Sequence, residues 1–406
     1  MRNEINKDTQ IKKFCLYGFL KNLKFFEPYL LLFLLSKGIN LFQIGLLIAI
    51  REIVVNVFEL PSGFFADFFG RKKELYLCFS FYIVSFIFFY LTNSFLVAAI
   101  AMVFFGLGEA FRSGTHKAMI YTYLDTKEWQ SEKIFVYGRT RSYSLLGSSI
   151  SSLVSIALVL LLENDNQIFL FSVFPYIAAL LLIFSYPKYL DLQDKKQDVS
   201  FSQMVREFIN SFKLNSNMRN IVIEEGMAEA IYSYIKDLIQ PILEIIIISS
   251  GLVIISGLSS DDNLKVMLGI IYAVLNLTGS YFSKKTYLIK GKRTSIDCLR
   301  LVHIALAFSC LALGVLSKSY ILVCILYVFI YILHSIRKPL YVDEIDAHIE
   351  KSNRASVIST SSGIKSMSLI IFAPILGYVA DNYSISLVML IISILLFSTK
   401  SLLKLK

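Results

Sequence analysis

Charged side chains lie inside the long apolar stretches of this chain, where burial in lipid makes each of them costly and therefore a functional candidate. Near the amino terminus, Tyr17, Lys21, Lys24 and Pro28 are spaced by four, three and four residues, which places them on one face of a continuous helix. Glu27 lies within one turn of Lys24. This face is predicted to line a central cavity. The alternative is that Lys21 extends to the inner membrane surface while Lys24 and Glu27 form a structural pair.

Basic residues outnumber acidic residues inside the apolar stretches of the amino-terminal half. Arg51 and Glu52 fall near the middle of the second stretch, and Glu109 and Arg112 share a helix face in the fourth. A base at mid-membrane that no acid neutralises is best explained by a ligand that does so, which predicts a substrate with an anionic group. The predicted substrate-binding residues of this half are Tyr17, Lys21, Lys24, Arg51 and Arg112.

The carboxyl-terminal half presents charges of both signs. Its predicted substrate-binding residues share one face of the seventh stretch, except for the last, which lies in the eleventh: Glu229, Tyr232, Lys236, Gln240 and Lys365. Coupling to protons requires a carboxylate whose proton affinity responds both to burial and to a nearby cation. Three carboxylates beside a base meet this condition and are the predicted proton-coupling residues: Glu27, Glu109 and Asp237. The alternative is that these pairs are salt bridges that only hold helices together.

Twelve apolar stretches are long enough to position these residues in a membrane. They predict an all-α integral membrane protein with twelve transmembrane helices, since about 20 apolar residues span a bilayer. The 406 residues are 56% hydrophobic and 17% charged, and the short connections leave no room for a fused ATPase, kinase or receptor domain. The stretches are residues 14–36, 41–65, 74–92, 95–123, 138–162, 166–186, 227–249, 264–284, 296–316, 319–342, 355–379 and 384–403.

The distribution of basic residues predicts the orientation. With both termini cytoplasmic, twenty-five lysines and arginines fall in inner segments and three in outer ones, as the positive-inside rule requires. The formal charge of +10 therefore indicates basic inner loops that meet lipid headgroups, and no nucleic-acid partner is expected. The five cysteines are scattered singly, and no metal-binding or phosphate-binding motif occurs, so neither a metal nor a cofactor is predicted.

The two halves resemble each other, which predicts a duplicated bundle of six helices. Arg112 falls opposite Arg337 when the halves are laid over each other, and Glu27-Pro28 is matched by Gln240-Pro241. The predicted organisation is a bundle over residues 1–186, a cytoplasmic linker over 187–226 and a second bundle over 227–406. The linker includes the amphipathic segment FSQMVREFINSF, which could lie on the membrane surface. Such a duplication predicts a substrate site near the midplane, between the halves.

The connection between the second and third stretches carries the most specific motif in the chain. Its residues Gly63, Asp67, Gly70, Arg71 and Lys72 match the pattern G-x-x-x-D-x-x-G-R-[KR]-[KR]. This pattern resembles the signature of the major facilitator superfamily, and the preceding E-x-P-S-G resembles drug-efflux-like bacterial branches of that family. The glycines are expected to allow close packing and a tight turn, and Asp67 to cap a helix end.

The resemblance implies a fold of two pseudo-symmetric six-helix bundles and secondary active transport by alternating access, with the motif acting as a cytoplasmic latch. It favours proton-coupled export of a small amphipathic or anionic molecule by a monomer in a bacterial plasma membrane. Residues 146–152 of the fifth stretch, LGSSISS, have no proline and one glycine where proton antiporters of that branch often have a glycine- and proline-rich motif. Two alternatives stay open: an importer or symporter of an anionic metabolite, and a transporter-like receptor that transports nothing.

Overall fold

A computed structural model describes residues 2–112, 114–191, 216–250, 255–291, 293–316, 319–348 and 354–403. None of these residues forms a β-strand, and almost all lie in α-helices. The predicted amphipathic segment at 201–212 lies outside the described residues. The chain divides into two compact units, the first comprising Met1–Phe33 and Ile50–Asp198 and the second comprising Leu34–Ala49 and Val199–Lys406.

The first six predicted spans correspond to helices α2 to α9. In chain order the helices are α1 (Arg2–Lys7), α2 (Thr9–Leu20), α3 (Leu30–Ser36), α4 (Leu41–Phe69), α5 (Arg71–Tyr90), α6 (Phe95–Ala110), α7 (Thr115–Thr126), α8 (Lys133–Leu161) and α9 (Gln167–Phe184). A short 3-10 helix at Lys188–Asp191 follows α9.

The second six predicted spans correspond to helices α10 to α16. These helices are α10 (Ser216–Ser250), α11 (Ser260–Lys284), α12 (Thr286–Lys290), α13 (Ser295–Leu316), α14 (Tyr320–His348), α15 (Arg354–Asn382) and α16 (Ile385–Thr399). The seventh helix begins at Ser216, well before the predicted start of its span at residue 227. Glu224 and Glu225 are therefore part of this helix.

The prediction of twelve transmembrane helices is confirmed. Within the described ranges, nine stretches are long and apolar enough to cross a membrane, and they correspond to spans two to six and eight to eleven. The first span is divided between α2 and α3, the seventh is the charged helix α10, and the twelfth is the 15-residue apolar helix α16. The first span is not among the nine because its helix is interrupted, and the seventh is not among them because it carries several charges.

Helix packing repeats from one unit to the other. Span one packs on span five (α2 on α8) as span seven packs on span eleven (α10 on α15), and span three packs on span six as span nine packs on span twelve. Glycine permits the closest approaches: a Cβ on Gly147 would lie 2.5 Å from the Phe19 carbonyl oxygen, and one on Gly226 would lie 2.6 Å from Ile364 Cγ2. The predicted duplication is thus present in the packing.

The first span is not a continuous helix, so the prediction of one shared face for Tyr17, Lys21, Lys24 and Pro28 is wrong. Helix α2 ends at Leu20, residues 21–29 are not helical, and α3 begins at Leu30. Side chains satisfy backbone groups at the break: Asn22 Nδ2 donates to the Gly18 carbonyl at 2.6 Å, and Ser172 Oγ accepts from the Phe25 amide at 3.2 Å. Pro28 lacks an amide hydrogen and adds to the interruption.

The fourth span is interrupted as well. Helix α6 ends at Ala110 and α7 begins at Thr115, after Gly114 with its positive φ of 79°. The Ser62 hydroxyl of span two donates to the Ala110 carbonyl at 3.0 Å, and so satisfies one acceptor that the break leaves without a helical partner. Backbone breaks at membrane depth are tolerated where protein or a cavity surrounds them, and in transporters they mark binding sites.

Candidate functional site

Cationic side chains of the first unit gather against aromatic rings at the two helix breaks. Lys24 Nζ lies 4.8 Å from the ring centroid of Phe105 and 5.8 Å from that of Tyr82. Arg112 Nε donates to the Tyr82 hydroxyl at 3.3 Å, and Lys21 Nζ lies 5.8 Å from the Tyr17 ring. The structure therefore brings three predicted substrate-binding cations against aromatic side chains, where cation–π attraction holds the two lysines and a hydrogen bond holds Arg112.

Tyr17 presents a polar group to this region. Its ring stacks on that of His116, with centroids 3.6 Å apart and an angle of 7° between the planes, and His116 Nε2 lies 3.1 Å from the Tyr186 hydroxyl. Tyr17 is 1% exposed, yet its hydroxyl has no hydrogen-bond partner among the described residues. A buried hydroxyl without a partner is costly, so this group is suited to bind a polar ligand.

Two acidic residues of the first unit, Glu52 and Glu109, lie beside Arg51. Arg51 Nη2 lies 2.7 Å from Glu52 Oε1, and Arg51 Nε lies 4.0 Å from Glu109 Oε2. Glu109 thus meets a base of span two in addition to its sequence neighbour Arg112. Among the mid-span residues predicted from the sequence, four bases (Lys21, Lys24, Arg51 and Arg112) outnumber three acids (Glu27, Glu52 and Glu109) by one formal charge.

The predicted residues of span seven do share one side of a helix, because α10 is continuous through Pro241. Gln240 Nε2 donates to the Tyr272 hydroxyl at 2.9 Å, and that hydroxyl donates to Asp237 Oδ1 at 3.3 Å. Lys236 Nζ lies 3.9 Å from the same Asp237 oxygen. Tyr272 of span eight joins these groups and was missed from the sequence, where a single tyrosine among 23 carries no distinguishing signal.

Glu229 and Tyr232 form a second group on α10. Glu229 lies 3.6 Å from both His334 Nε2 and Lys338 Nζ, and the Tyr232 ring stacks on His334 with centroids 3.4 Å apart. Each unit therefore stacks a tyrosine of its first span on a histidine of its fourth. Lys365, the remaining predicted residue, is half-buried on α15.

Two residues of the predicted latch motif, Arg71 and Lys72, bind groups of their own unit. Arg71 Nη1 donates to Thr122 Oγ1 at 2.7 Å, and Lys72 Nζ donates to the Tyr186 carbonyl at 2.9 Å. Arg71 and Lys72 therefore also fasten α5 to span four and to the end of span six.

The two glycines of the motif have different environments. Gly70 has a φ of 100°, which confirms the expected tight turn, and a Cβ there would lie 2.6 Å from Asp191 Oδ1. That Asp191 oxygen accepts from the Lys72 amide at 2.7 Å, so Asp191 performs the capping that we predicted for Asp67, which is exposed. A Cβ at Gly63 would meet no described atom within 4 Å, so close packing does not explain this glycine in the described part of the chain.

Comparison with known proteins supports these observations. The family model described as Major Facilitator Superfamily matches residues 15–336. The uncharacterized MFS-type transporter YxaM of Bacillus subtilis (strain 168) is 38% identical over 90 residues, which are 22% of this chain and 23% of that protein. The matched region is thus less than a quarter of its length.

Solved structures share the fold over nearly the whole chain. The nucleoside transporter NupG superposes with a TM-score of 0.78 at 12% identity, covering 98% of this chain and 100% of NupG. A POT family transporter in complex with a thioalcohol-conjugated peptide gives 0.74 at 11% identity, covering 97% and 94%. The human organic anion transporter MFSD10 (TETRAN) gives 0.62 at 13% identity, covering 98% and 100%.

The motif, the two similar units and the family model lead to the same assignment. The chain is a membrane-spanning transporter and not an enzyme. It belongs to the Major Facilitator Superfamily.

Proposed function

We propose that this protein is a secondary active transporter that exports a small amphipathic molecule with an anionic group, works by alternating access and is driven by protons. The observation that carries the anionic cargo is the excess of bases over acids at the two helix breaks of the first unit. A bound anion restores neutrality there, because Lys21, Lys24 and Arg112 lie against aromatic side chains. Tyr17 supplies a hydroxyl donor beside them.

Aromatic rings explain why the cargo should be amphipathic. Phe105, Tyr82 and Tyr17 provide apolar area next to the cations, so a ligand with a ring and a single anionic group would satisfy both. The cargoes named for similar structures include a nucleoside, a peptide conjugate and organic anions, and this variety shows that the fold alone selects none of them.

Proton-coupled export from a bacterial plasma membrane rests on the resemblance around Glu59-Leu60-Pro61-Ser62-Gly63. The latch role rests on the motif from Gly63 to Lys72, and the cytoplasmic termini rest on the basic segments. Glu27, Glu109 and Asp237 are the proposed proton-coupling carboxylates. An anion importer is the second candidate, and the same deep cations support it. Uptake into right-side-out and inside-out vesicles separates the two directions.

The cargo proposal is tested with matched ligand pairs that differ in charge alone. Aromatic carboxylates such as 1-naphthoate should raise the melting temperature of the purified protein, whereas the corresponding amides should not. The Arg112→Gln variant should lose this response, while Lys37→Gln, which removes a base outside the site, should keep it. Equal shifts for acids and amides would contradict an anionic cargo, and binding without flux in proteoliposomes would favour the receptor alternative.

The latch proposal is tested separately. Asp67→Asn should impair turnover and leave cargo affinity nearly unchanged, because Asp67 is exposed in the motif connection and can bias two conformational states without touching cargo. Wild-type transport rates in this variant would remove the latch assignment.

A further inference from the structure

Bases and aromatic rings alternate on two neighbouring helix faces at the end of the first unit that is predicted to be cytoplasmic. On each face the residues are spaced by four, so they lie one above the other on the helix surface. The two faces consist of Lys117, Tyr121 and Asp125 on α7 and of Lys133, Tyr137 and Arg141 on α8. We call these six residues the basic strip.

Side chains of the two helices meet around the ring of Tyr121. Lys117 Nζ lies 5.6 Å from the centroid of this ring, and Lys133 Nζ lies 5.4 Å from it. Lys117 Nζ also lies 5.2 Å from the centroid of the Tyr137 ring. Cation–π attraction thus joins α7 to α8 and brings two ammonium groups to one ring.

The basic strip carries more positive charge than it neutralises. Lys133 Nζ lies 3.3 Å from Asp125 Oδ1, which belongs to the one acid of the strip. Neither Lys117 nor Arg141 forms an ion pair with any residue that the structure describes. Three bases and one acid leave a formal charge of +2, and Lys117, Tyr137 and Arg141 are exposed. An anion that binds here would meet bases that are already in place.

The strip lies on the side of α8 that does not meet lipid. The exposed apolar side chains Tyr143, Leu146 and Leu153 mark the lipid-facing side of this helix. Tyr137 lies nine residues before Leu146, which is about two and a half turns and therefore the opposite face. Arg141 follows Tyr137 by one turn on the same face. Contact with lipid therefore does not explain why these two side chains are exposed.

Arg141 connects the basic strip to the deep cations. The positive charges of Arg141 and Lys21 lie close enough to interact, and Lys21 is one of the predicted substrate-binding residues. Arg141 is also the residue of the strip that lies farthest along α8 from its start at Lys133. Cationic side chains thus continue from the strip toward the proposed cargo site.

We propose that the basic strip is a cytoplasmic capture site for an amphipathic organic anion that has an aromatic ring and a carboxylate. The carboxylate binds between the ammonium groups of Lys117 and Lys133, and the ring packs on the exposed ring of Tyr137. Binding there raises the local concentration of cargo, which then passes Arg141 to reach Lys21. The role in capture rests on the proposed export function; binding at the strip does not.

The single tryptophan of the chain can report binding in the intact protein. Trp129 lies between α7 and α8, so its fluorescence monitors this region alone. We expect 4-nitrobenzoate, a quencher of tryptophan fluorescence, to quench it saturably in lipid nanodiscs. The neutral 4-nitrobenzamide should quench only in proportion to its concentration. Quenching by 4-nitrobenzoate that does not saturate would overturn the site.

A matched pair of variants locates the bound anion. Lys117→Gln should weaken the saturable binding about two- to fivefold, the scale of an exposed cation–π contact. Lys127→Gln removes a base at the end of the same helix, outside the strip, and should leave the binding unchanged. Equal weakening by both variants would show a general effect of surface charge and overturn the site.

Two further measurements separate the strip from other places where an anion could bind. The strip is exposed, so it binds more weakly than the deep site and fills only at higher ligand concentrations. Arg112→Gln, which removes a deep cation, should keep the saturable quenching; its loss would place the bound molecule at the deep site and overturn the strip. At physiological salt, quenching should be the same in phosphatidylcholine and phosphatidylglycerol nanodiscs. Its loss in phosphatidylglycerol would assign the strip to lipid headgroups and overturn the capture role.

Transport assays then test capture. In inside-out vesicles, Lys117→Gln should raise the KM for 1-naphthoate about two- to fivefold and leave kcat unchanged, whereas the KM in right-side-out vesicles should not change. An unchanged KM in inside-out vesicles, or equal changes in both orientations, would overturn the capture role. A wild-type protein that moves no aromatic carboxylate would overturn the proposed function, whereas the quenching would still establish or refute the binding site.

Discussion

Arg112 and Arg337 both lie in the fourth span of their unit, yet their surroundings differ in kind. Arg112 follows the end of a broken helix and donates to the Tyr82 hydroxyl, in a region with more bases than acids. Arg337 lies inside the continuous helix α14 and contacts two carboxylates. In the second unit the protein itself compensates the charge of this arginine, whereas in the first unit we propose that a bound ligand does so.

The largest effect is expected from removing Arg337. Arg337→Gln leaves Glu224 and Glu225 buried without their main cation, which should lower the free energy of unfolding by about 3–5 kcal/mol. Thermal or denaturant unfolding in detergent measures the loss. Arg112→Gln should be far less destabilising. Equal losses of stability at both arginines would show that the two units do not differ in how they compensate this charge.

The next effect concerns ligand affinity in the first unit. Replacing Lys24 or Arg112 by Gln should weaken binding of an aromatic carboxylate by about 1.5–3 kcal/mol, the scale of a hydrogen bond to a charged group. If Lys24 serves only Glu27, the single change should instead cost stability, and Lys24→Gln combined with Glu27→Gln should restore it. Affinity and melting temperature of the single and double variants separate the two outcomes.

Close packing should matter in both units alike. Gly147→Ala and Gly226→Ala introduce a Cβ 2.5 Å and 2.6 Å from atoms of a neighbouring helix, and each should cost about 1–3 kcal/mol of stability. Gly138→Ala is the matched control on α8, because its Cβ would meet no described atom within 4 Å. A loss at Gly138 as large as at Gly147 would show that the cost comes from helix content and not from packing.

The smallest effect concerns how each unit caps its third span. The distant Asp191 accepts from the Lys72 amide at the start of α5, whereas the local Thr294 accepts from the Asp297 amide at the start of α13. Asp191→Ala and Thr294→Ala should each cost about 1 kcal/mol, the usual value of a lost cap. Asp191→Ala alone should also increase proteolysis after α9, since it releases the Lys188–Asp191 segment; equal proteolysis of both variants would contradict this.

Span number and repeat were predictable because hydropathy is a local property that about 20 residues establish together. The breaks were not predicted, although Asn22 and Pro28 are both signals for one, since the apolar residues around them maintain the helical pattern. The contact between Glu224 and His303 could not be predicted, for a different reason. His303 contacts Glu224 only when spans seven and nine pack together. The spacing of residues within one span does not indicate which other span it packs against.

The broken first span also bears on how the chain enters the membrane. Each charged residue near the middle of an inserting helix costs about 2.5–3.5 kcal/mol, and residues 21–29 carry Lys21, Lys24 and Glu27. Helix α3 has 7 residues and α2 has 12, so neither half is a strong insertion signal. We expect the first span to be held in the bilayer by later ones, through the packing of α2 on α8 and α9. The charged residues between α2 and α3 would then reach their final positions only after the fifth and sixth spans have been synthesised.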